Sequence, residues 1–305
     1  MLRKRGLTGA VTALLLVVAG SVIAPAALAT ATGNCRARPG PRVNWSGCDL
    51  ANANLVHANL LHANLTSANL AGADLAKTFL GYATLAYANL TNAILTLANL
   101  VGTNLDHANL NHANLTHANL THANLVSSDL REAFMDGVTL VDANLTGAKF
   151  SETWINYADL HRANLSHARG GAGFNYDDLS RANLSDANLS SSSFEDSNLT
   201  NANLTNATFT YAIFIGADLT GANLAKANAV GDYMNADLTQ ANLTNANLLF
   251  ATLTNANLYR ANLTNANLEG AIITGANFGG VTWQHTSCPD GTNSNKDGET
   301  CMNNL

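Results

Sequence analysis

Leucine and alanine recur along most of the chain with a period of five residues, and asparagine usually lies between them. In residues 107–125 the unit Ala-Asn-Leu returns four times, separated each time by two variable positions. The central residue of each unit, usually Leu or Phe, recurs from Leu50 to Leu165 without a slip. Helices repeat near 3.6 residues and strands near 2, so neither element explains this period.

A period of five predicts a chain that turns a corner within every unit. On an α-helix, successive leucines would step about 140° around the axis, and in a straight strand they would alternate between faces. Four cornering units would form a coil of twenty residues, with Ala and Leu inside and a continuous core between stacked coils. Only 12% of the 305 residues are charged and 6% aromatic, which argues against an ordinary mixed core and for a repeat architecture.

The residue before each central position varies with a further period of twenty, as a four-sided coil requires. One side carries Asn in ten of eleven units, interrupted by Thr84. Another side is largely apolar, and we predict it as the candidate interaction side: Ile94, Phe134, Trp154, Ile213, Tyr233 and Ile272. Phe134 and Trp154 should be neighbours in adjacent coils, and so should Ile213 and Tyr233. Outward aromatic residues suit binding of a protein, a glycan or a second copy of the chain as a homodimer. The alternative is that such residues merely suit extended backbone.

Two units are one residue short. We place the short units at Gly170 to Phe174 and at Met234 to Leu238. Near them, Asp177 and Asp232 fall at the position that Ala normally occupies. Because an unpaired buried carboxylate is expensive, we expect the backbone to bulge there and both side chains to reach water.

The A-(N/D)-L-x-x units of residues 48–280 resemble the pentapeptide repeat family. The resemblance implies an all-β fold, a right-handed quadrilateral parallel β-helix. At twenty residues per coil the repeats would make about twelve coils, and at about 4.8 Å per coil a stack of about 56 Å. The open ends of such a stack need caps, and we assign this role to residues 30–47 and 281–305.

Residues 1–29 have the pattern of a secretory signal peptide. Basic residues at Arg3, Lys4 and Arg5 precede an apolar run and an Ala-Leu-Ala cleavage site at residues 27–29. Cleavage would remove three positive charges, changing the net charge from −6 to −6 − 3 = −9. We therefore expect a secreted, extracellular protein without a transmembrane segment in its mature chain, the alternative being a membrane anchor.

Four cysteines bracket the repeats, and the two members of each pair are thirteen residues apart. In a secreted protein this spacing predicts two local disulfides, Cys35–Cys48 and Cys288–Cys301. A zinc site would need closer Cys or His pairs. The caps are therefore expected to be stapled by one disulfide each.

The sequence offers no catalytic residues. His107, His112, His117 and His122 look like a metal cluster, but successive units face different sides of the coil. Ser and Thr are common, yet no G-x-S-x-G nucleophile motif appears. We therefore predict that the protein is not an enzyme.

Two groups of oxygen-bearing side chains are candidate ligand sites. The first is an acidic stripe on a third side of the coil, in one position of nearby coils: Asp159, Asp178, Asp218 and Asp237. It would hold cations or a basic partner, unless Asp and Asn are interchangeable there. The second lies inside the C-terminal disulfide loop and resembles the start of a calcium loop: Asp290, Asn293, Asn295, Asp297 and Glu299. The acidic residue expected at its twelfth position is replaced by Asn304, and turn formation explains the same residues.

These observations predict a secreted, non-enzymatic repeat scaffold whose extended surface binds a protein or a cell-envelope component. The resemblance also implies an alternative, because some pentapeptide repeat proteins mimic duplex DNA and bind DNA gyrase, a type II topoisomerase. Residues 48–280 contain 18 acidic and 8 basic residues, a net charge of −10. Duplex DNA of about 56 Å carries about 33 charges, so the mimicry would be weak. Direct binding of nucleic acid is not expected.

Overall fold

Nearly every five-residue unit has the same local structure in the computed structural model, which describes residues 33–296 and 300–301: a tight turn, then one residue bridged to the next coil. After Leu55, for example, the amide of Ala58 donates to the carbonyl of Leu55 at 2.9 Å. His57 between them has a φ of +58°, which the third residue of a type II turn requires. The predicted signal peptide, residues 1–29, lies outside the described residues.

Asparagine precedes the central residue because its side chain completes the corner. The Oδ1 atom of Asn54 accepts a hydrogen bond from the amide of Val56 at 3.2 Å, and the same contact recurs in most units. In several coils the Nδ2 group also reaches the equivalent residue of the preceding coil, as from Asn89 to Asn69 at 3.1 Å. The amide thus builds both the turn and the stack.

Neighbouring coils pair in parallel at a spacing of twenty residues. Thr84 bridges Asn64 on one side and Asn104 on the other. Four five-residue units fill this spacing, so each coil has four sides. The predicted four-sided parallel β-helix is confirmed.

Extended pairs of two residues form where a coil is one residue short. Strands β1 (Thr153–Trp154) and β2 (Ala172–Gly173) pair in parallel, as do β3 (Ala212–Ile213) and β4 (Gly231–Asp232). Within the described ranges the helical structure is one 3₁₀ turn, Ser294–Lys296, and no helix there is long and apolar enough to cross a membrane.

The core is a column of Ala and Leu side chains, with an aromatic stack in its middle. The rings of Phe174, Phe194, Phe214 and Tyr233 follow one another at centroid distances of 5.0, 4.8 and 4.9 Å, within 5° of parallel. All four side chains have no exposed surface. The two middle rings, Phe194 and Phe214, therefore each pack against a ring in the coil before and in the coil after.

Both ends of the repeats carry the predicted disulfides. Cys35–Cys48 and Cys288–Cys301 each join Cα atoms 5.4 Å apart. Trp45 lies buried at the N-terminal end and Trp283 at the C-terminal end, where it packs on Phe278 with the ring centroids 5.1 Å apart. The boundaries assigned to the caps stay predictions.

The first short unit lies at Gly170 to Phe174 as predicted, but the second lies one unit earlier than we predicted. It runs from Ala229 to Tyr233, so Tyr233 is a central residue and is fully buried. The assignment of Tyr233 to the outward interaction side is therefore wrong. Asp232 takes the outward position beside Ile213, and Gly231 takes the inward one. Tyr233 is central because its ring extends the aromatic stack from Phe214.

The expectation that Asp177 reaches water is also wrong. Its side chain occupies the inward Ala position and is only 2% exposed. One carboxyl oxygen accepts a hydrogen bond from the amide of Ala158 in the preceding coil at 2.8 Å. Burial raises the pKa of Asp177 to about 9, so the carboxyl is neutral at pH 7. Neutralisation and one backbone hydrogen bond, rather than a bulge, make this burial tolerable.

Candidate binding notch

The predicted interaction side exists, although not with every predicted member. Phe134 and Trp154 bridge each other in adjacent coils and are 49% and 59% exposed. Ile94 and Ile272 are exposed at distant coils of the same column, and Ile213 is half-buried. The adjacency of the two aromatic residues is confirmed, while their role in binding stays a prediction.

Each of the two aromatic residues follows a glutamate by two positions. Glu132 and Phe134 form one Glu-x-aromatic unit, and Glu152 and Trp154 repeat it twenty residues later. Both glutamates occupy the left-handed turn position, with φ of +58° and +60°. The four side chains therefore form a two-coil ledge, with the carboxylates along the corner and the rings on the adjoining side.

The next coil leaves this ledge open on one flank. Trp154 pairs with Gly173, which has no side chain, and the short unit omits one turn residue at the corner near Gly171. The result is a concave pocket with a volume of about 510 Å³. We call it the notch and define it by Glu132, Phe134, Glu152, Trp154, Gly171 and Gly173.

The two glycines of the notch differ in whether the surrounding packing requires glycine. A Cβ atom on Gly171 would lie 3.0 Å from the carbonyl oxygen of Ser190, so the close approach of two backbones favours glycine. A Cβ atom on Gly173 would meet nothing closer than the side-chain oxygen of Asn156 at 3.5 Å. Packing therefore tolerates a side chain at Gly173, and its absence leaves the face of the notch open.

The notch is acidic. Among its lining residues the ionisable ones are His112, Glu132 and Glu152, with no Lys or Arg. Glu132 lies 3.3 Å from the Nδ1 atom of His112, and both side chains are nearly half exposed. In the part of the chain that the structure describes, no ion pair involves Glu152. Arg131 is adjacent to Glu132 in the sequence, but its guanidinium binds Asp129 at 2.6 Å.

The predicted acidic stripe is one column of the structure. Asp159 bridges Asp178, and Asp218 bridges Asp237. Each carboxylate accepts the amide hydrogen two residues ahead, as in Asp218 to Thr220 at 2.9 Å. These are the contacts that Asn makes elsewhere, which favours the interchange of Asp and Asn over a dedicated cation site.

The histidines do not form a metal site. His107 contacts Asp106 at 2.8 Å, whereas His122 lies 3.8 Å from Asp142 on another side of the coil. Over residues 33–296 and 300–301, no group of three or more His, Cys, Asp or Glu side chains is placed to hold a metal ion.

The oxygens of the C-terminal loop have local hydrogen bonds. Asn293 accepts from the amide of Asn295 at 3.1 Å, and Asn295 accepts from the amide of His285 at 2.9 Å. The carboxylate of Asp290 accepts from Thr292, which lowers its pKa. Asp297 and Glu299, the other two predicted calcium ligands, lie outside the described residues, so the calcium prediction stays open.

Sequence reasoning found the two aromatic residues of the notch but missed its glutamates. The signal was present: Glu-x-Phe at Glu132 and Glu-x-Trp at Glu152 are twenty residues apart, and the glycine-rich segment 170–173 follows at the next coil. Comparing side chains at equal positions of successive coils, and not only the residue before each centre, would have identified the ledge.

Comparisons with known proteins agree with this architecture. A family model described as pentapeptide repeats (8 copies) matches residues 44–169, 178–231 and 234–282. No curated protein matches the chain significantly.

Several solved structures are similar to the chain. HetL, a pentapeptide repeat protein involved in heterocyst differentiation regulation from the cyanobacterium Nostoc sp. strain PCC 7120, is 32% identical over 79% of this chain and 92% of its own, with a TM-score of 0.36. A pentapeptide repeat protein from the Arabidopsis thaliana thylakoid lumen is 31% identical over 32% of this chain and 68% of its own, with a TM-score of 0.31. QnrB1, a plasmid-mediated fluoroquinolone resistance protein, is 17% identical over 68% of this chain and 94% of its own, with a TM-score of 0.38.

The family match extends across most of the stacked coils and includes four of the six residues that define the notch, whereas Gly171 and Gly173 lie between the matched ranges. It covers more than half of the residues and agrees with the four-sided parallel pairing of the coils. This chain belongs to the pentapeptide repeat family.

Proposed function

We propose that the protein is a secreted, non-enzymatic scaffold whose repeat domain, a right-handed β-helix of about twelve coils, presents an extended surface to a protein or cell-envelope partner. The observation that carries the proposal is the exposure of Phe134 and Trp154 in adjacent coils beside a concave surface. Exposed aromatic residues that cluster at a depression are typical of binding surfaces.

An extracellular location is supported by the two disulfides, Cys35–Cys48 and Cys288–Cys301. Disulfides of this structural kind persist in oxidising compartments. The signal-like pattern of residues 1–29 agrees with that location.

The non-enzymatic role is supported by what the polar side chains do. Asn and Asp oxygens close the turns, as in Asn144 to the amide of Thr146, and buried hydroxyls bind backbone carbonyls, as in Thr103 to Leu80 at 2.8 Å. Such side chains are committed to building the coil and are poorly placed to do chemistry.

The alternative, a DNA mimic that binds a type II topoisomerase, has weaker support. Among the described residues two acids are paired with arginines, Asp129 with Arg131 at 2.6 Å and Asp142 with Arg162 at 2.5 Å. The remaining carboxylates lie in separated columns rather than in a continuous double ridge. A surface of this kind lacks the uniform charge density of duplex DNA.

A capture experiment tests the proposal. The purified, disulfide-bonded protein is immobilised and exposed to envelope and culture-medium fractions of its host. Partners should bind the wild type and be lost from the double variant Phe134→Asn, Trp154→Asn. Leu97→Asn is the matched control, since Leu97 is 53% exposed at another site. Partners retained by the double variant would remove the aromatic surface from the proposal.

Two further measurements test location and the alternative. Mass spectrometry of the culture supernatant should find a chain that begins at Thr30, after loss of residues 1–29. A gyrase supercoiling assay with the purified protein should show no effect, and inhibition or protection at submicromolar concentration would favour the DNA mimic instead.

A further inference from the structure

We propose that the notch binds an arginine side chain on a basic segment of the partner protein, with the guanidinium between the carboxylates of Glu132 and Glu152 and against the ring of Trp154. The inference rests on the proposed function, because it names the chemistry of the partner at that surface. It is carried by the one-coil spacing of the two glutamates, their lack of Lys or Arg partners and the open flank of the indole ring.

Glu132 and Glu152 stand one coil apart, close enough for their carboxylates to share one cation. Glu132 and Glu152 occupy equal positions of adjacent coils, and adjacent coils are about 4.8 Å apart. A guanidinium is planar and has five donors, so it can bind both carboxylates at once. An ammonium would bind them only as a point charge.

Among the residues that the structure describes, no Lys or Arg lines this position. Arg131 is held by Asp129, and Arg162 is held by Asp142 on another side of the coil. His112, which contacts Glu132, is the only lining residue able to carry a positive charge. The notch therefore presents a net negative charge to any partner.

The aromatic residues provide the second half of the site. Trp154 is 59% exposed, and beside it Gly173 leaves the next coil without a side chain. A guanidinium inserted through this gap would stack on the indole face, an arrangement that attracts cations to aromatic rings in proteins. Phe134 extends the apolar surface beneath the aliphatic part of the arginine side chain.

The volume of the notch fits a side chain together with its flanking backbone. Its 510 Å³ lies within the range of about 300–1,000 Å³ that is usual for ligand pockets. The outward Ser191 and Ser193 and the side chain of Asn175 line the same surface and offer hydrogen bonds to an extended peptide. A neutral glycan would use the aromatic residues and the amides but would gain less from two carboxylates that have no Lys or Arg partner.

Tryptophan fluorescence provides a specific readout. The protein has three Trp residues; Trp45 and Trp283 are buried, so a ligand at the notch should perturb mainly Trp154. The probe is the blocked peptide acetyl-Gly-Arg-Gly-Arg-Gly-amide, and the matched control peptide carries citrulline, the neutral analogue, in place of arginine. We expect saturable quenching by the arginine peptide, weakening with added salt, and at least about tenfold weaker binding of the citrulline peptide.

The variant pair Glu132→Gln, Glu152→Gln keeps the shape of the notch and removes its charge. It should bind the arginine peptide at least about tenfold less tightly, the loss of about 1.4 kcal/mol, whereas Glu269→Gln at a distant exposed corner should bind like the wild type. Absence of binding to the wild type, equal binding of both peptides, or unchanged binding to the double variant would each overturn the proposal. If N-acetylglucosamine oligomers quench the wild type and the double variant equally, the notch is a glycan site instead.

The capture experiment separates the two proposals. If partners are lost from the aromatic double variant but retained by Glu132→Gln, Glu152→Gln, the scaffold function stands and the arginine site fails. If neither variant loses partners, the aromatic surface fails as well.

Discussion

At both short units a coil pairs with its neighbour at a spacing of nineteen residues, through β1–β2 in the first and β3–β4 in the second. The outward residue is Gly173 in the first unit and Asp232 in the second. Gly173 leaves the flank of Trp154 open, whereas Asp232 covers the flank of Ile213. One unit thus borders a notch of about 510 Å³, while the other continues the column of outward side chains.

Inside the coil the two short units are alike. The first ends at Phe174 and the second at Tyr233, and both rings belong to the same aromatic stack. The stack therefore runs from one short unit to the other. The difference teaches that a missing turn residue does not by itself create a site, because the outward side chain decides whether the space is filled.

The largest expected effect comes from breaking the stack midway between the two units. Phe194→Ala removes a ring that contacts Phe174 on one side and Phe214 on the other, at 5.0 and 4.8 Å. We expect a loss of about 3–5 kcal/mol in the free energy of unfolding, as for other large core truncations. Urea denaturation followed by circular dichroism measures it.

Two controls make this result interpretable if the alanine variant does not fold. Phe194→Leu keeps most of the volume and should lose less, about 1–2 kcal/mol. Tyr211→Ala removes a ring that is 77% exposed and should stay within about 0.5 kcal/mol of the wild type. A loss below about 1 kcal/mol for the alanine variant would show that the stack is not what joins the two regions.

The sequence alone predicted the outer pattern of these regions better than their interior. The period of twenty placed Phe134 next to Trp154, because every unit between them has its full length. Near the second short unit, Tyr233 and Met234 are both apolar, so the missing residue fits either of two consecutive units. The choice depends on the stacking of Tyr233 on Phe214, which is a contact between coils.

The burial of Asp177 could not be predicted from its neighbours in the sequence either. Its inward position in the unit was predicted correctly, but whether a carboxyl can be buried there depends on the amide of Ala158 in the preceding coil. The notch was missed for the same reason, since it is formed by residues from three coils.

The second prediction concerns Asp177, whose carboxyl lies beside the first short unit. The equivalent position beside the second short unit is occupied by Ala236. Burial raises the pKa of Asp177 from 3.8 to about 9, so unfolding releases a proton between these pH values. The native state therefore loses stability as pH rises through this window. Asp177→Asn keeps an acceptor for Ala158 without the ionisation, and should be more stable than the wild type by about 3 kcal/mol at pH 6.

Denaturation of the two proteins between pH 3 and 8 measures this effect. The stability difference should shrink towards pH 3, where the wild-type carboxyl is mostly protonated in both states. Other carboxylates contribute equally to both curves and cancel. Parallel curves over the whole range would show that Asp177 is ionised in the folded protein.

The smallest effect tests how tightly each short unit closes. Gly231→Ala gives the second unit the residue that Ala172 provides in the first, but its Cβ atom would lie 2.5 Å from the carbonyl oxygen of Ala212. Relieving that contact requires the backbone of β3 or β4 to move, at a cost of about 1–3 kcal/mol. Gly173→Ala is the comparison at the outward position of the first unit, where the nearest atom would be 3.5 Å away. It should change stability by no more than about 0.5 kcal/mol. Thermal unfolding of the two variants measures both effects. Equal losses would show that Gly173 is packed as closely as Gly231 and that its missing side chain does not account for the open flank of the notch.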